Sequence, residues 1–158
     1  MSNTQASSDA APEAAEPATV PMRFEVTTLP VADVDRAKAF YQRLGWRLDI
    51  DFKPTENTRG VQFTPPGSTA SIQFGEGSTT NTEPLQRLYL IVDDIGVARD
   101  DLVSRGADVG EIFHRTETGF EPGADPEGRS YLSYASFKDP DGNEWLLQEI
   151  TERLPGRV

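Results

Sequence analysis

The sequence repeats itself at a separation of 61 residues, and that repeat limits the architectures open to it. Leu29, Val31, Asp33, Ala37 and Gly45 recur as Leu90, Val92, Asp94, Ala98 and Gly106, and Val34 recurs as Ile95. A fixed internal period means that one supersecondary unit has been used twice. Each copy reads as an apolar strand ending in Val-x-Asp, a helix starting at the Asp, and a Gly where the helix stops. Asp33 and Asp94 are suited to cap the first turn by accepting from unpaired N–H groups, and Gly45 and Gly106 supply a left-handed residue after the last turn. Val34, Ala37, Tyr41 and Leu44 form one apolar stripe, and Ile95, Ala98 and Leu102 form its counterpart.

Strand-like segments follow each helix, at 46–52, 61–64 and 70–74 in the first copy and at 110–115, 131–137 and 144–150 in the second. The last two strands of each copy are joined by turns rich in Pro and Gly, at 65–67 and 139–143. The expected fold is α+β, with two tandem βαβββ units, 22–75 and 86–151, forming a curved mixed sheet around a ligand cup. Residues 1–21 read as a disordered tail and 152–158 as a C-terminal extension. Gly45 and Gly67 lie 22 positions apart, whereas Gly106 and Gly142 lie 36 apart. About 14 extra residues therefore belong to the second unit, and the polar stretch 116–130 is where they are expected. So long a loop reads as a lid, a binding loop, a disordered segment or a plain solvated insertion.

Composition narrows the function. The chain has no cysteine, which removes disulfide frameworks, thiolate metal sites and thiol catalysis. Its single histidine, His114, rules out any two-histidine metal site within one chain. Fifteen Lys and Arg against 26 Asp and Glu give a net charge of -11, so nucleic acid and anionic membranes are poor partners. The tail carries Asp9, Glu13 and Glu16 and lacks the basic start and apolar stretch of a signal peptide. A soluble, cytoplasmic protein is expected.

Two motifs carry a resemblance. The segment 29–46, Leu-Pro-Val-Ala-Asp-Val-Asp-Arg-Ala-Lys-Ala-Phe-Tyr-Gln-Arg-Leu-Gly-Trp, and the segment 137–145, Phe-Lys-Asp-Pro-Asp-Gly-Asn-Glu-Trp, lie in order within a paired βαβββ unit. Together they resemble the vicinal oxygen chelate superfamily, the group of glyoxalase I, bleomycin-resistance proteins and extradiol dioxygenases. The resemblance implies a cup for a small ligand, helices outside it, and a homodimer whose units pair within a chain or across chains. Period two then assigns the cup face. Arg87, Tyr89 and Ile91 face it, as do Val26, Thr28, Ser71, Gln73, Glu144, Leu146 and Gln148, while Trp145 and Leu147 point to the helix side.

The resemblance also implies where a metal would bind: a His seven residues before each capping Asp, and a carboxylate four residues after the Gly of the last turn. Here those positions hold Val26, Arg87 and Leu146, with Gln73 as the survivor of a fourth. A divalent ion needs lone pairs from carboxylate or neutral imidazole, so no cofactor is expected. A rebuilt metal site would draw on Glu25, His114, Glu144 and Glu149, of which Glu25 and Glu149 have the wrong strand parity for the cup.

Without a metal, the candidate catalytic residues are His114 and Glu144 as acid/base and Arg87 as the electrophile that steadies a carboxylate or enolate. Thr28, Gln73 and Gln148 read as orienting groups, and Tyr89 and Tyr134 as donors to a ligand carbonyl. Each has a plainer reading: a surface histidine, an Arg87–Glu144 ion pair, packing tyrosines. The leading expectation is a metal-independent, glyoxalase-like isomerase, lyase or hydrolase acting on a small oxygenated molecule. Its alternatives are a non-catalytic drug- or antibiotic-binding protein of the bleomycin-resistance type, and a metal-dependent glyoxalase or dioxygenase with a rebuilt site.

Overall fold

A computed structural model describes residues 14–157. Residues 1–13 of the expected tail, and Val158 of the extension, lie outside the described residues; positions 14–21 are exposed and belong to no helix or strand. The first unit runs β1 (Val26–Thr28), α1 (Val34–Arg43), β2 (Arg47–Thr55), β3 (Thr58–Thr64) and β4 (Ser71–Phe74). The second runs β5 (Leu88–Val92), α2 (Ile95–Ser104), β6 (Phe113–Thr116), β7 (Gly119–Pro122), β8 (Ser133–Lys138) and β9 (Glu144–Glu149). Each unit makes its own mixed sheet, ordered β1-β4-β3-β2 and β5-β9-β8-β6-β7, and both are closed by a parallel pair, β1 with β4 and β5 with β9. The α+β class and the tandem units agree with the sequence.

Strand bounds shift by up to three residues, as at β6, expected at 110–115 and found at Phe113–Thr116, and two further differences stand out. The first hairpin is longer than its apolar core, because β2 and β3 run on to a tight turn at Glu56-Asn57. The stretch 116–130 is not all loop: Thr116 pairs with Gly119 and Phe113 with Pro122, so residues 119–122 fold back on β6 as the added strand β7. Gly119, at φ 144, and Pro122 bound a strand of four residues, and such bounding residues read as loop in a sequence.

Both helix starts are capped as expected, with Asp33 Oδ1 accepting from the Arg36 amide and Asp94 Oδ1 from that of Val97, each at 3.0 Å. The buried face of α1 is wider than the predicted stripe, since Phe40 joins Val34, Ala37 and Tyr41. It needs that width because α1 packs on both units. Tyr41 and Trp46 of the first unit meet Trp145 of the second, with the Trp46 and Trp145 rings 5.1 Å apart and edge-on, and Phe40 lies 6.4 Å from Phe137. Burial of such rings contributes roughly 1.5–3 kcal/mol each. The helix-side faces of the two sheets thus share one core, and the opposite face of each sheet remains open.

The turn at 139–143 fastens this arrangement. Asp139 accepts the amides of Asp141 and Asn143 on one oxygen, and Asn143 Nδ2 and the Tyr41 hydroxyl on the other. Asn143 also donates to the Pro30 carbonyl, and Asp141 accepts from the Ala32 amide and pairs with Arg36. A segment that reads locally as a strand connection therefore grips the entry to α1. Among the described residues, no helix is long and apolar enough to cross a membrane.

Candidate functional site

The open face of the second sheet carries a cleft of about 450 Å³, lined by Arg87, Tyr89, Phe113, Arg115, Phe120, Tyr134, Ser136, Glu144 and Leu146. Strand register places them there, because directly paired residues share a face. Tyr89 and Ser136 both pair with Leu146, Phe113 pairs with Tyr134, and Arg115 with Phe120. Phe113 and Tyr134 stack at 5.5 Å and 20°, and Phe120 stands edge-on to both, at 5.6 and 6.4 Å. Phe120 remains 65% exposed and Tyr89 53%, so two large rings border the cleft in water.

Of the expected site residues, Arg87, Tyr89, Tyr134 and Glu144 come together in this cleft. Arg87 sits at φ 56, a left-handed conformation, and its amide donates to Glu144 Oε1 at 3.2 Å. The bond comes from the backbone, and no ion pair forms between the two side chains within 4.0 Å. Gln148 stands behind the cleft wall, donating to the Tyr134 hydroxyl at 3.2 Å and to the Tyr131 carbonyl at 3.0 Å, which holds the Tyr134 ring in place.

Three expected site residues lie elsewhere. Thr28 and Gln73 pair on the first sheet, where Gln73 Nε2 donates to Thr28 Oγ1 at 2.8 Å, and they line none of the principal clefts. His114 is on the reverse face of the second sheet. Phe113 and Arg115 point into the cleft, so period two turns the residue between them away, and it pairs with Glu121 and Ser133. His114 is only 6% exposed, with Nδ1 at 2.7 Å from the Gly123 carbonyl and Nε2 at 3.8 Å from Glu121. A carbonyl only accepts, so that bond assigns a proton to Nδ1. Beside it, buried Asp125 is bound by Arg129, whose side-chain and backbone hydrogen bonds hold its carboxyl at about 2. Phe113, Arg115, Phe120 and Ser136 were not anticipated. The alternation Phe113-His114-Arg115 is the signal that would have found the first two, and it equally excludes His114 from the cleft.

The metal positions that the family resemblance implies do not fit a divalent ion, since Val26 and Leu146 have no lone pairs, Arg87 is a cation and Gln73 offers one amide oxygen. The rebuilt set does not converge either. Glu149 Oε2 accepts from the Ile95 amide at the start of α2, His114 faces away, and Glu25 is exposed on the other unit. Among the described residues, no three His, Asp or Glu side chains group together in a way that could hold a metal ion.

A family model described as Glyoxalase/Bleomycin resistance protein/Dioxygenase superfamily matches residues 23–147. No curated protein matches. Among solved structures, the chain is similar to TnmS3, an antibiotic binding protein from Streptomyces sp. CB03234, at 27% identity over 84% of this chain and 99% of that one, with a TM-score of 0.63. A glyoxalase/bleomycin resistance protein from the same organism shares 27% identity over 80% and 99%, with a TM-score of 0.57. A superfamily member from Sphaerobacter thermophilus DSM 20745 shares 25% over 82% and 98%, with a TM-score of 0.62.

Proposed function

Because the chain belongs to the Glyoxalase/Bleomycin resistance protein/Dioxygenase superfamily, we propose that it captures a planar, oxygenated organic molecule in the cleft of its second sheet and releases it unchanged. The observation that carries this reading is the wall of Phe113, Tyr134 and Phe120, with its outer ring exposed to an open cleft. Such rings bind by area and stacking, and each ring pair contributes roughly 0.5–1.5 kcal/mol beyond burial. The similarity to an antibiotic binding protein supports the same class of ligand. The reading is metal-free, because the donor set at the family positions supplies almost no lone pairs.

A homodimer belongs to this proposal. The open face of the first sheet bears Thr28, Gln73, Ile50 and Phe52, and Phe52 is 63% exposed. Laid over the cleft of a second copy, that face would cover Phe120 and Tyr89 and give the ligand a second wall.

A second reading has one observation in its favour: Arg87 and Glu144 share the cleft, the pairing that acid/base chemistry on an oxygenated substrate would use. Calorimetric titration with planar aromatic antibiotics, followed by mass spectrometry of the recovered ligand, separates the two. Saturable binding with intact ligand supports capture. Stoichiometric conversion that is lost in Glu144→Gln would replace it with catalysis.

A further inference from the structure

Resting on the capture reading, we infer that the ligand is an aromatic anion, its rings lying on the Phe113–Tyr134 wall and its charge held between Arg87 and Arg115. The chain carries eleven more acidic than basic residues, and most of its folded-domain guanidiniums are used: Arg36, Arg47, Arg59, Arg99, Arg105 and Arg129 all lie within 4.0 Å of a carboxylate. Arg87 and Arg115 form no such pair among the described residues, yet both line the cleft that bears the Phe113, Tyr134 and Phe120 rings. Among the described residues Glu144 is the only carboxylate lining that cleft, and its Oε1 is engaged by the Arg87 amide, which leaves the Arg87 guanidinium available. Two cations against one anion give the cleft a net positive charge on a strongly negative protein.

The two arginines arrive by separate routes. Arg87, immediately before β5, is itself left-handed, a conformation that disfavours any side chain and is characteristic of functional positions. Arg115 sits on β6 directly opposite Phe120 of β7, the strand that the first unit lacks. The second unit's added hairpin thus contributes one aromatic ring and one guanidinium to the same cleft. Guanidinium binds carboxylate or sulfonate oxygens through paired N–H donors, which a neutral amide matches poorly and an ammonium not at all.

The test uses the full chain and three probes of one shape: naphthalene-2-carboxylate, naphthalene-2-carboxamide and 2-naphthylmethylammonium. By calorimetry the carboxylate is expected to bind at least about tenfold more tightly than either other probe, and the doubly substituted Arg87→Gln/Arg115→Gln protein is expected to bind carboxylate and carboxamide alike. Equal binding of the three probes by the unsubstituted protein, or a preference that survives in the double variant, overturns the anion inference and leaves capture standing, provided Phe120→Ala weakens all three. If none of the probes binds, or Phe120→Ala changes none of them, the cleft itself is wrong and both readings fall.

Discussion

The Tyr41 hydroxyl donates to Asp139 Oδ2 at 2.8 Å and accepts from Trp145 Nε1 at 3.0 Å, so a single phenol on α1 joins the first unit to both the turn and the last strand of the second. Burial, followed by the charge of Asp139, pushes the Tyr41 hydroxyl well above its ordinary pKa, which keeps the donating proton in place. Tyr41→Phe preserves the ring but leaves Asp139 one donor short and Trp145 Nε1 without its acceptor. Buried polar groups left unpaired cost about 1–3 kcal/mol each, so a loss of about 2–3 kcal/mol in urea unfolding is expected. Fluorescence from Trp46 and Trp145 and far-UV circular dichroism should report one shared transition. A loss below about 0.5 kcal/mol, within the range of a neutral surface change, would show that the phenol does not join the units.

Acid stability follows from carboxylates whose pKa the fold lowers. The hydrogen bonds from Arg59 and then Lys38 hold Asp51 well below the usual carboxylate range, Thr64 and Arg47 lower Asp49, and Arg129 holds Asp125 at about 2. A depressed folded-state pKa contributes stability above the unfolded value, about 3.9 for Asp, and loses it as pH falls toward the folded value. Stability should therefore be level from pH 7 to about 5 and decline steeply between about 4 and 2. Asp51→Asn should lower stability at pH 7 and flatten that decline, as measured by urea midpoints across pH. An unchanged acid slope would mean that the Asp51–Arg59 pair, partly exposed, is screened by solvent and contributes little.

Much of the architecture was legible because repetition and capping are local signals. Asp33, Asp94, Gly45 and Gly106 each specify one helix end whatever surrounds them. The cleft was legible only in part. Period two placed Arg87, Tyr89 and Glu144 on one face because their strands had been recognised. Along 113–116 the same alternation exchanges His114 for Arg115. No local signal told which sheet face would meet its partner: Thr28 and Gln73 have cup parity, but the shared core of Phe40, Tyr41, Phe137 and Trp145 holds the two open faces apart within one chain. The role of Asp139–Asn143 was hidden for the same reason, since its partners Pro30, Ala32 and Tyr41 lie about a hundred residues away.

The position of His114 gives a direct test against acid/base chemistry. His114→Asn retains a donor where Nδ1 meets the Gly123 carbonyl and removes the imidazole. The folded protein should bind ligand as before, because the cleft side chains on β6 are Phe113 and Arg115. The lost packing of a buried ring should lower stability by about 1–2 kcal/mol, seen in thermal unfolding. Abolished turnover of any substrate, with the ligand still bound, would restore His114 to the mechanism.

Arg87 separates stability from binding within one residue. At φ 56 any side chain meets its own backbone, at a cost of roughly 1–2 kcal/mol, which glycine escapes at an entropic cost of about 0.5–1 kcal/mol. Arg87→Gly is thus expected to be as stable as the unsubstituted protein or slightly more so, whereas Arg87→Ala keeps the strain and gains nothing. The two variants should melt about 2–4 °C apart for each kcal/mol between them, with glycine the higher. Both remove the same guanidinium from the cleft, so both should lose affinity for an anionic aromatic probe to the same extent. A glycine variant that is less stable than the alanine variant would mean that residue 87 is not held in the left-handed region. The Arg87 amide would then not be the group that occupies Glu144, and an Arg87–Glu144 ion pair would become the better account of the cleft.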